Sequence, residues 1–185
     1  MKTLIINGSP KSGGDTEALI DAFVSALDGE YRIVSHKDGI SPCLDCRYCW
    51  QHEGCALRDG MQPLYDYLAD CDCVVLASPV WFSSLASPAL AIGSRLQTYF
   101  AAKFFRHTPA PLPPKRGVIL ITGAQPGTEE HPIANATTML GLAGVKREDI
   151  TVVRSMNTDR VPASEDRAAL TAAADAARAL SASPR

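Results

Sequence analysis

Short apolar runs alternate with stretches of helical periodicity along most of the chain. Residues 2–6, 31–35, 73–77, 117–122 and 149–153 read as strands, and 15–27, 60–69, 86–105, 130–143 and 164–181 read as helices. The first helix carries the spacing well. Leu19, Ile20, Phe23, Val24 and Leu27 fall on one face, with Glu17, Asp21 and Ser25 away from it. Gly117 to Ile121 is apolar throughout, as expected of a strand covered by helices on both sheet faces. The repeated β-α pattern predicts an α/β fold, a doubly wound five-stranded parallel sheet whose right-handed crossovers leave few topologies. Such sheets bind ligands beyond the carboxyl ends of the strands, beside the switch point, so the loops after strands one, three and four are where chemistry is expected. His107 to Lys115 carries four prolines and reads as an extended connector. The alanine-rich last helix is expected to be capped by Ser164, with Glu165 and Asp166 in its first turn, and to cover the sheet.

Composition narrows the function classes. A chain of 185 residues suits one domain, 1–185, with a cysteine-rich insertion at about 41–58. A net charge of −2 supplies no basic field, so neither nucleic acid nor a membrane surface is an expected partner. The apolar run Leu4-Ile5-Ile6 stops at Asn7-Gly8, too short for a signal peptide, and a cytoplasmic location is expected. Thiols stay reduced there, which makes the six cysteines better candidates for metal or redox work than for disulfides. Cys71 and Cys73 lead into Val74-Val75-Leu76 and read as small core residues.

Three loops stand out. The segment Asn7 to Thr16, between the first strand and first helix, offers the hydroxyls of Ser9, Ser12 and Thr16, close backbone approach at its glycines and a helix N-terminus, which together suit a phosphate. Neither the P-loop pattern nor the dinucleotide G-x-G-x-x-G pattern is present. After the third strand, Ser78-Pro79-Val80-Trp81-Phe82-Ser83-Ser84 places two large aromatics at a strand end, where a planar ring system can stack, or where the aromatics only anchor the loop. The loop after the fourth strand, Thr122 to Gly127, either completes a ligand rim through Gly123 or is a plain turn.

A fourth feature is the C-x2-C-x2-C-x5-C array Cys43, Cys46, Cys49 and Cys55. Compact runs of this kind wrap iron–sulfur clusters, four-thiolate zinc sites favour separated pairs, and metal-free thiols are the third reading. His52 lies inside the array and reads as an exposed loop histidine sooner than as a ligand.

The loops in register resemble the flavodoxin-like NADPH-dependent FMN reductase family, whose G-S-P-[RK]-x-x-G-x-T loop appears here as Gly8 to Thr16 and whose P-[VI]-[YW]-[FWY] loop appears as Pro79 to Phe82. The resemblance implies strand order 2-1-3-4-5, with Ser9, Lys11, Ser12, Gly14, Asp15 and Thr16 around the FMN phosphate and Pro79, Val80, Trp81 and Phe82 against the flavin ring. It implies chemistry at the flavin N5 with NADH or NADPH as co-substrate and a small-molecule acceptor such as a quinone or free flavin, and it assigns no catalytic acid or base to the protein. A redox-protein partner and a homo-oligomer, dimer or tetramer, are also implied. The cysteine array is similar to that of the iron–sulfur flavoprotein branch, in which a 4Fe-4S cluster relays electrons to FMN. One departure concerns the helix that follows. Relatives usually carry a lysine and an Asp-Arg pair where this chain has Ala91 and Ser94-Arg95. A flavodoxin-type carrier is the main rival from another class, against which the weak net charge argues, and an interaction module with a degenerate flavin site is a further one. The C-x5-R loop of a low-molecular-weight phosphatase and the acidic residues of a receiver domain are both missing after the first strand.

Overall fold

The computed structural model describes residues 1–108 and 112–182, so the centre of the proline-rich connector lies outside the described residues. All five predicted strands form: β1 (Lys2–Asn7), β2 (Glu30–Val34), β3 (Cys73–Trp81), β5 (Lys115–Gly123) and β6 (Val145–Met156), with a two-residue β4 (Ser84–Leu85) between the third and fourth of them. The five long strands pair in parallel in the order β2-β1-β3-β5-β6, and β4 folds back antiparallel on the end of β3. Counted without β4, this is the flavodoxin-like order 2-1-3-4-5.

The helices are α1 (Asp15–Ser25), α2 (Tyr48–Gln51), α3 (Gln62–Asp70), α4 (Ser87–Ser94), α5 (Gln97–Phe104), α6 (Glu130–Leu142) and α7 (Arg167–Ala182). Strand residues alternate between two core layers, as the pleat requires. Leu4, Ile6, Val74, Leu76, Ile119 and Ile121 pack with Leu64 and Leu68 of α3, Ile92 of α4 and Leu140 of α6. Ile5, Val75, Ala77, Val118 and Leu120 face the other way, onto Leu19, Ile20 and Phe23 of α1 and Ala169, Ala173 and Ala177 of α7. Each fully buried large aliphatic here contributes on the order of 2 kcal/mol. Cys71 and Cys73 belong to these layers as expected, and burial pushes the Cys73 thiol up to about 12.

Three differences from the predicted elements have a local physical cause. The long helix at 86–105 is broken at Arg95-Leu96, where Arg95 N–H and Leu96 N–H reach back only three residues, to Ile92 and Gly93. The weak helix formers Gly93 and Ser94 precede the break, and Arg95 itself is drawn inward to an ion pair with Asp59. The last helix is capped by Asp166, not Ser164. The Asp166 carboxylate accepts Ala169 N–H at 3.0 Å and Ser155 Oγ–H at 2.8 Å, so the β6 strand end selects the cap. Strand β6 begins four residues before the predicted strand, since Lys146, Arg147, Glu148 and Asp149 are exposed on the sheet edge and give no apolar signal. Among the described residues no helix is long and apolar enough to cross a membrane.

Candidate functional site

The carboxyl ends of β1, β3, β5 and β6 surround a cleft of about 240 Å³. Nine of the eleven residues predicted to hold a ligand line it: Ser9, Lys11, Gly14, Asp15, Thr16, Pro79, Val80, Trp81 and Gly123. Gly8 starts the first wall. A Cβ there would lie 2.6 Å from that of Ala89 and 2.9 Å from the Ala77 carbonyl, which accepts the Gly8 N–H at 2.7 Å, so only glycine lets the chain leave the sheet between β3 and α4. Ser9 then turns the loop on itself, its hydroxyl donating to the Lys11 carbonyl at 3.1 Å and accepting the Lys11 N–H at 3.2 Å. Gly13 takes a left-handed φ of +65°, and extended Gly14 caps α1 without a side-chain bond to the first-turn amides. Those amides therefore present the partial positive end of α1 to the cleft.

Two predicted phosphate ligands are committed within the protein. The Thr16 hydroxyl lies buried 3.0 Å from that of Thr122, tying the first turn of α1 to β5. The Asp15 carboxylate accepts Ala163 N–H at 2.8 Å and anchors the segment before α7. Ser12 does not line the cleft. Its hydroxyl accepts from the Lys37 ammonium at 2.9 Å, which brings a cation from the short 3-10 turn after β2 to the rim of the loop. Nothing in the sequence around Lys37 marks that approach.

The aromatic wall is a hairpin. Val80 and Trp81 of β3 pair with Leu85 and Ser84 of β4 across a two-residue turn, Phe82-Ser83, whose φ angles are +50° and +56°. That is type I′ geometry, which normally selects Asn-Gly. Holding two L residues there costs on the order of 1 kcal/mol each. Phe82 does not line the cleft; its side chain is wholly exposed at the hairpin tip, whereas Trp81 is 44% exposed at the cleft edge. From beneath, the Ser78 hydroxyl donates to the Pro79 carbonyl at 2.9 Å and accepts Ala86 N–H at 3.0 Å, which locks the hairpin onto α4.

Thr158 and Asp159 complete the rim and escaped the sequence reading. The Gly123 carbonyl accepts both Asn157 N–H at 2.7 Å and Thr158 N–H at 3.0 Å, folding the chain after β6 back over the cleft. The polar run Asn157-Thr158-Asp159 is a turn signal, but a strand ending at 153 put the turn too early.

The cysteine array forms a separate loop. Its two ends are closed by Arg95, whose guanidinium is fully buried and bonds the Asp59 carboxylate at 2.7 Å, the Ser41 carbonyl at 2.9 Å and the Leu57 carbonyl at 3.4 Å. Burial pushes the Asp59 carboxyl up, but Arg95 and the Met61 and Ser41 N–H groups outweigh it and hold the pKa below the usual aspartate value. Ser94 accepts Cys43 N–H at 2.9 Å. Thus Ser94-Arg95 organises the loop, a role the sequence did not disclose. Farther along, Arg106 donates to the Cys49 carbonyl, and Trp50 stacks on Phe105 with ring centroids 3.9 Å apart. Cys43, Cys46, Cys49 and Cys55 all line one cavity with Arg95, and burial, then the neighbouring Cys43, pushes the Cys49 thiol up. His52 stacks on Tyr48 and is not on that wall. Among the described residues no three His, Cys, Asp or Glu side chains are drawn together as a metal site.

Residues 1–125 match the family model for NADPH-dependent FMN reductase. An iron–sulfur flavoprotein of Archaeoglobus fulgidus is 34% identical over 109 residues, covering 57% of this chain and 52% of that protein. Another, from Methanosarcina thermophila, is 25% identical over 100 residues, covering 51% of this chain and 52% of its own. The matched part thus spans about half the length of these curated relatives. The solved structure of an NAD(P)H:quinone oxidoreductase from Methanothermobacter marburgensis superimposes with a TM-score of 0.63 at 17% identity, over 100% of this chain and 98% of that one, a likeness of fold. With the Gly8 to Thr16 loop, the aromatic hairpin and the sheet order all in place within or beside the matched residues, the chain belongs to the NADPH-dependent FMN reductase family.

Proposed function

We propose that the cleft binds FMN and that the chain is an NAD(P)H-dependent oxidoreductase delivering electrons to a small-molecule acceptor such as a quinone or a free flavin. The observation that carries this reading is the convergence of three loops, separated by up to about a hundred residues in sequence, on one cleft at the switch point of the sheet. Ser9, Lys11, Ser12, Gly14 and the first-turn amides at Asp15 and Thr16 would hold the phosphate, with Lys37 beside them. Pro79, Val80, Trp81 and Gly123 would hold the ring, and Phe82 would stand over the mouth. Bound FMN supplies hydride acceptance at N5 and electron delivery singly or in pairs. The chain's own work would be to bind and orient the cofactor. The exposed Trp81 and Phe82 support a homo-oligomer in which a second copy covers the mouth.

The test is FMN titration of the purified chain followed by NADH or NADPH under anaerobic conditions. A flavin spectrum bleached by either nucleotide is expected for the native chain. Ser9→Asp places negative charge against the phosphate and is expected to weaken FMN binding at least a hundredfold while the chain stays folded, as circular dichroism would show. Stoichiometric FMN retained by that variant would remove the phosphate-loop assignment.

A second reading is favoured by the four thiols on one cavity wall: an iron–sulfur cluster bound by Cys43, Cys46, Cys49 and Cys55, exchanging electrons with FMN and a redox-protein partner. An all-thiol donor set suits iron, and thiolates are commonly drawn together only by the metal they bind.

A further inference from the structure

We infer that Glu17 and Asp21 make the cleft selective for a flavin carrying one phosphate, turning away FAD by charge and not by bulk. This rests on the reading that the cleft binds FMN through the loop from Gly8 to Thr16. The observation behind it is a second groove, of about 410 Å³, between the outer face of α1 and the segment joining β6 to α7. Lys11, Gly14, Asp15 and Thr158 line both the groove and the cleft, whereas Pro79, Val80 and Trp81 line the cleft alone. The groove therefore opens from the end of the cleft assigned to the phosphate, away from the end assigned to the ring. Whatever extends a flavin beyond its first phosphate, as the adenylate of FAD does, meets this groove next. Its volume falls in the range of small-molecule sites, so bulk alone would not keep a nucleotide out.

The charge on its walls would. Glu17 and Asp21 stand one turn apart on the same face of α1, and both line the groove. The Glu17 carboxylate accepts the Gly13 N–H, which fixes it against the loop and spends a backbone donor that an anion could otherwise take. Asp21 is exposed on the groove wall, and Lys11 is the single cation there among the described residues. A phosphate held in the cleft has Lys11 and the first-turn amides of α1 beside it. A second phosphoryl group, lying in the groove, would stand beside two further carboxylates, and like charges at that range repel.

The experiment measures riboflavin, FMN and FAD binding by flavin fluorescence, using the full chain as native protein, Glu17→Gln, Asp21→Asn and the double variant. Glutamine keeps a carbonyl oxygen for the Gly13 N–H, and circular dichroism reports that each variant is folded. The native chain is expected to bind FMN more tightly than FAD. In the double variant FAD affinity is expected to rise about tenfold and FMN affinity by no more than about threefold, with the single variants in between. Riboflavin carries no phosphate, reports on the ring site alone and is expected to bind equally to all four proteins. A second measurement needs no variant: about 1 M salt screens the carboxylates and is expected to narrow the gap between FMN and FAD in the native chain. A gap that salt leaves unchanged, equal gains for FMN and FAD, or FAD affinity unmoved by the substitutions would overturn the inference. So would a native chain that binds FMN and FAD alike. A native chain that binds neither removes the FMN reading and this inference together, whereas FMN binding without the FAD gain removes only the latter.

Discussion

Asp15, Thr16 and Arg95 each spend their polar groups on parts of the chain remote in sequence: Ala163, Thr122 and the Ser41/Asp59 pair. Residue type announces a donor or an acceptor, but the partner is chosen by the fold. Breaking one side of a buried ion pair costs about 3–5 kcal/mol, so Arg95 and Asp59 are the residues on which the cysteine loop depends most. The same pair makes the loop sensitive to acid. The Asp59 pKa is depressed in the folded chain, so its contribution to stability is complete above the ordinary aspartate value of about 3.9 and is lost as pH falls through the lower folded value. Limited proteolysis is expected to cut within 41–59 as the pH is lowered from the ordinary aspartate value, before the sheet unfolds, and protection there down to the pH at which the sheet itself unfolds would count against the closure described.

At the scale of elements, the hairpin joining β3 to β4 departs furthest from its local preferences. Two residues without special tolerance for left-handed backbone occupy a turn that favours Asn-Gly. Strain of this kind persists where the position serves another end, here the display of an exposed aromatic beside the cleft. The double substitution Phe82→Asn with Ser83→Gly is expected to stabilise the chain by about 1 kcal/mol in denaturant unfolding and to weaken FMN binding. A variant that gains stability with flavin affinity untouched would make the turn a mere connection. Elements with apolar cores were legible in the letters, as β1, β3, β5 and α1 show. The first residues of edge strand β6 and the break between α4 and α5 were not, since exposed charge conceals a strand's start and a buried arginine interrupts a helical pattern.

Across the whole molecule, the cleft and the cysteine loop are built on different supports. The cleft stands on the strand ends of β1, β3, β5 and β6, while the loop is held by Arg95, Thr98 and Arg106 around α4 and α5. Simultaneous Cys→Ser changes at 43, 46, 49 and 55 are therefore expected to leave FMN affinity within about threefold and the melting temperature within about 3 °C, by calorimetry and flavin titration. A loss of flavin binding in that variant would mean that the two sites are energetically coupled.

What the sequence by itself determined is the layered sheet, its order by resemblance, and the two loops that meet at its switch point. Apolar periodicity and glycine spacing report local requirements, and these survive in one dimension. Only the tertiary structure decided that Thr158 and Asp159 reach the cleft, that Lys37 bonds Ser12 in the first loop, that Asp166 caps the last helix, and that Arg95 closes the cysteine loop. Those outcomes depend on which buried or bridging polar groups find each other across the fold, and pairing between distant residues leaves no period in the chain.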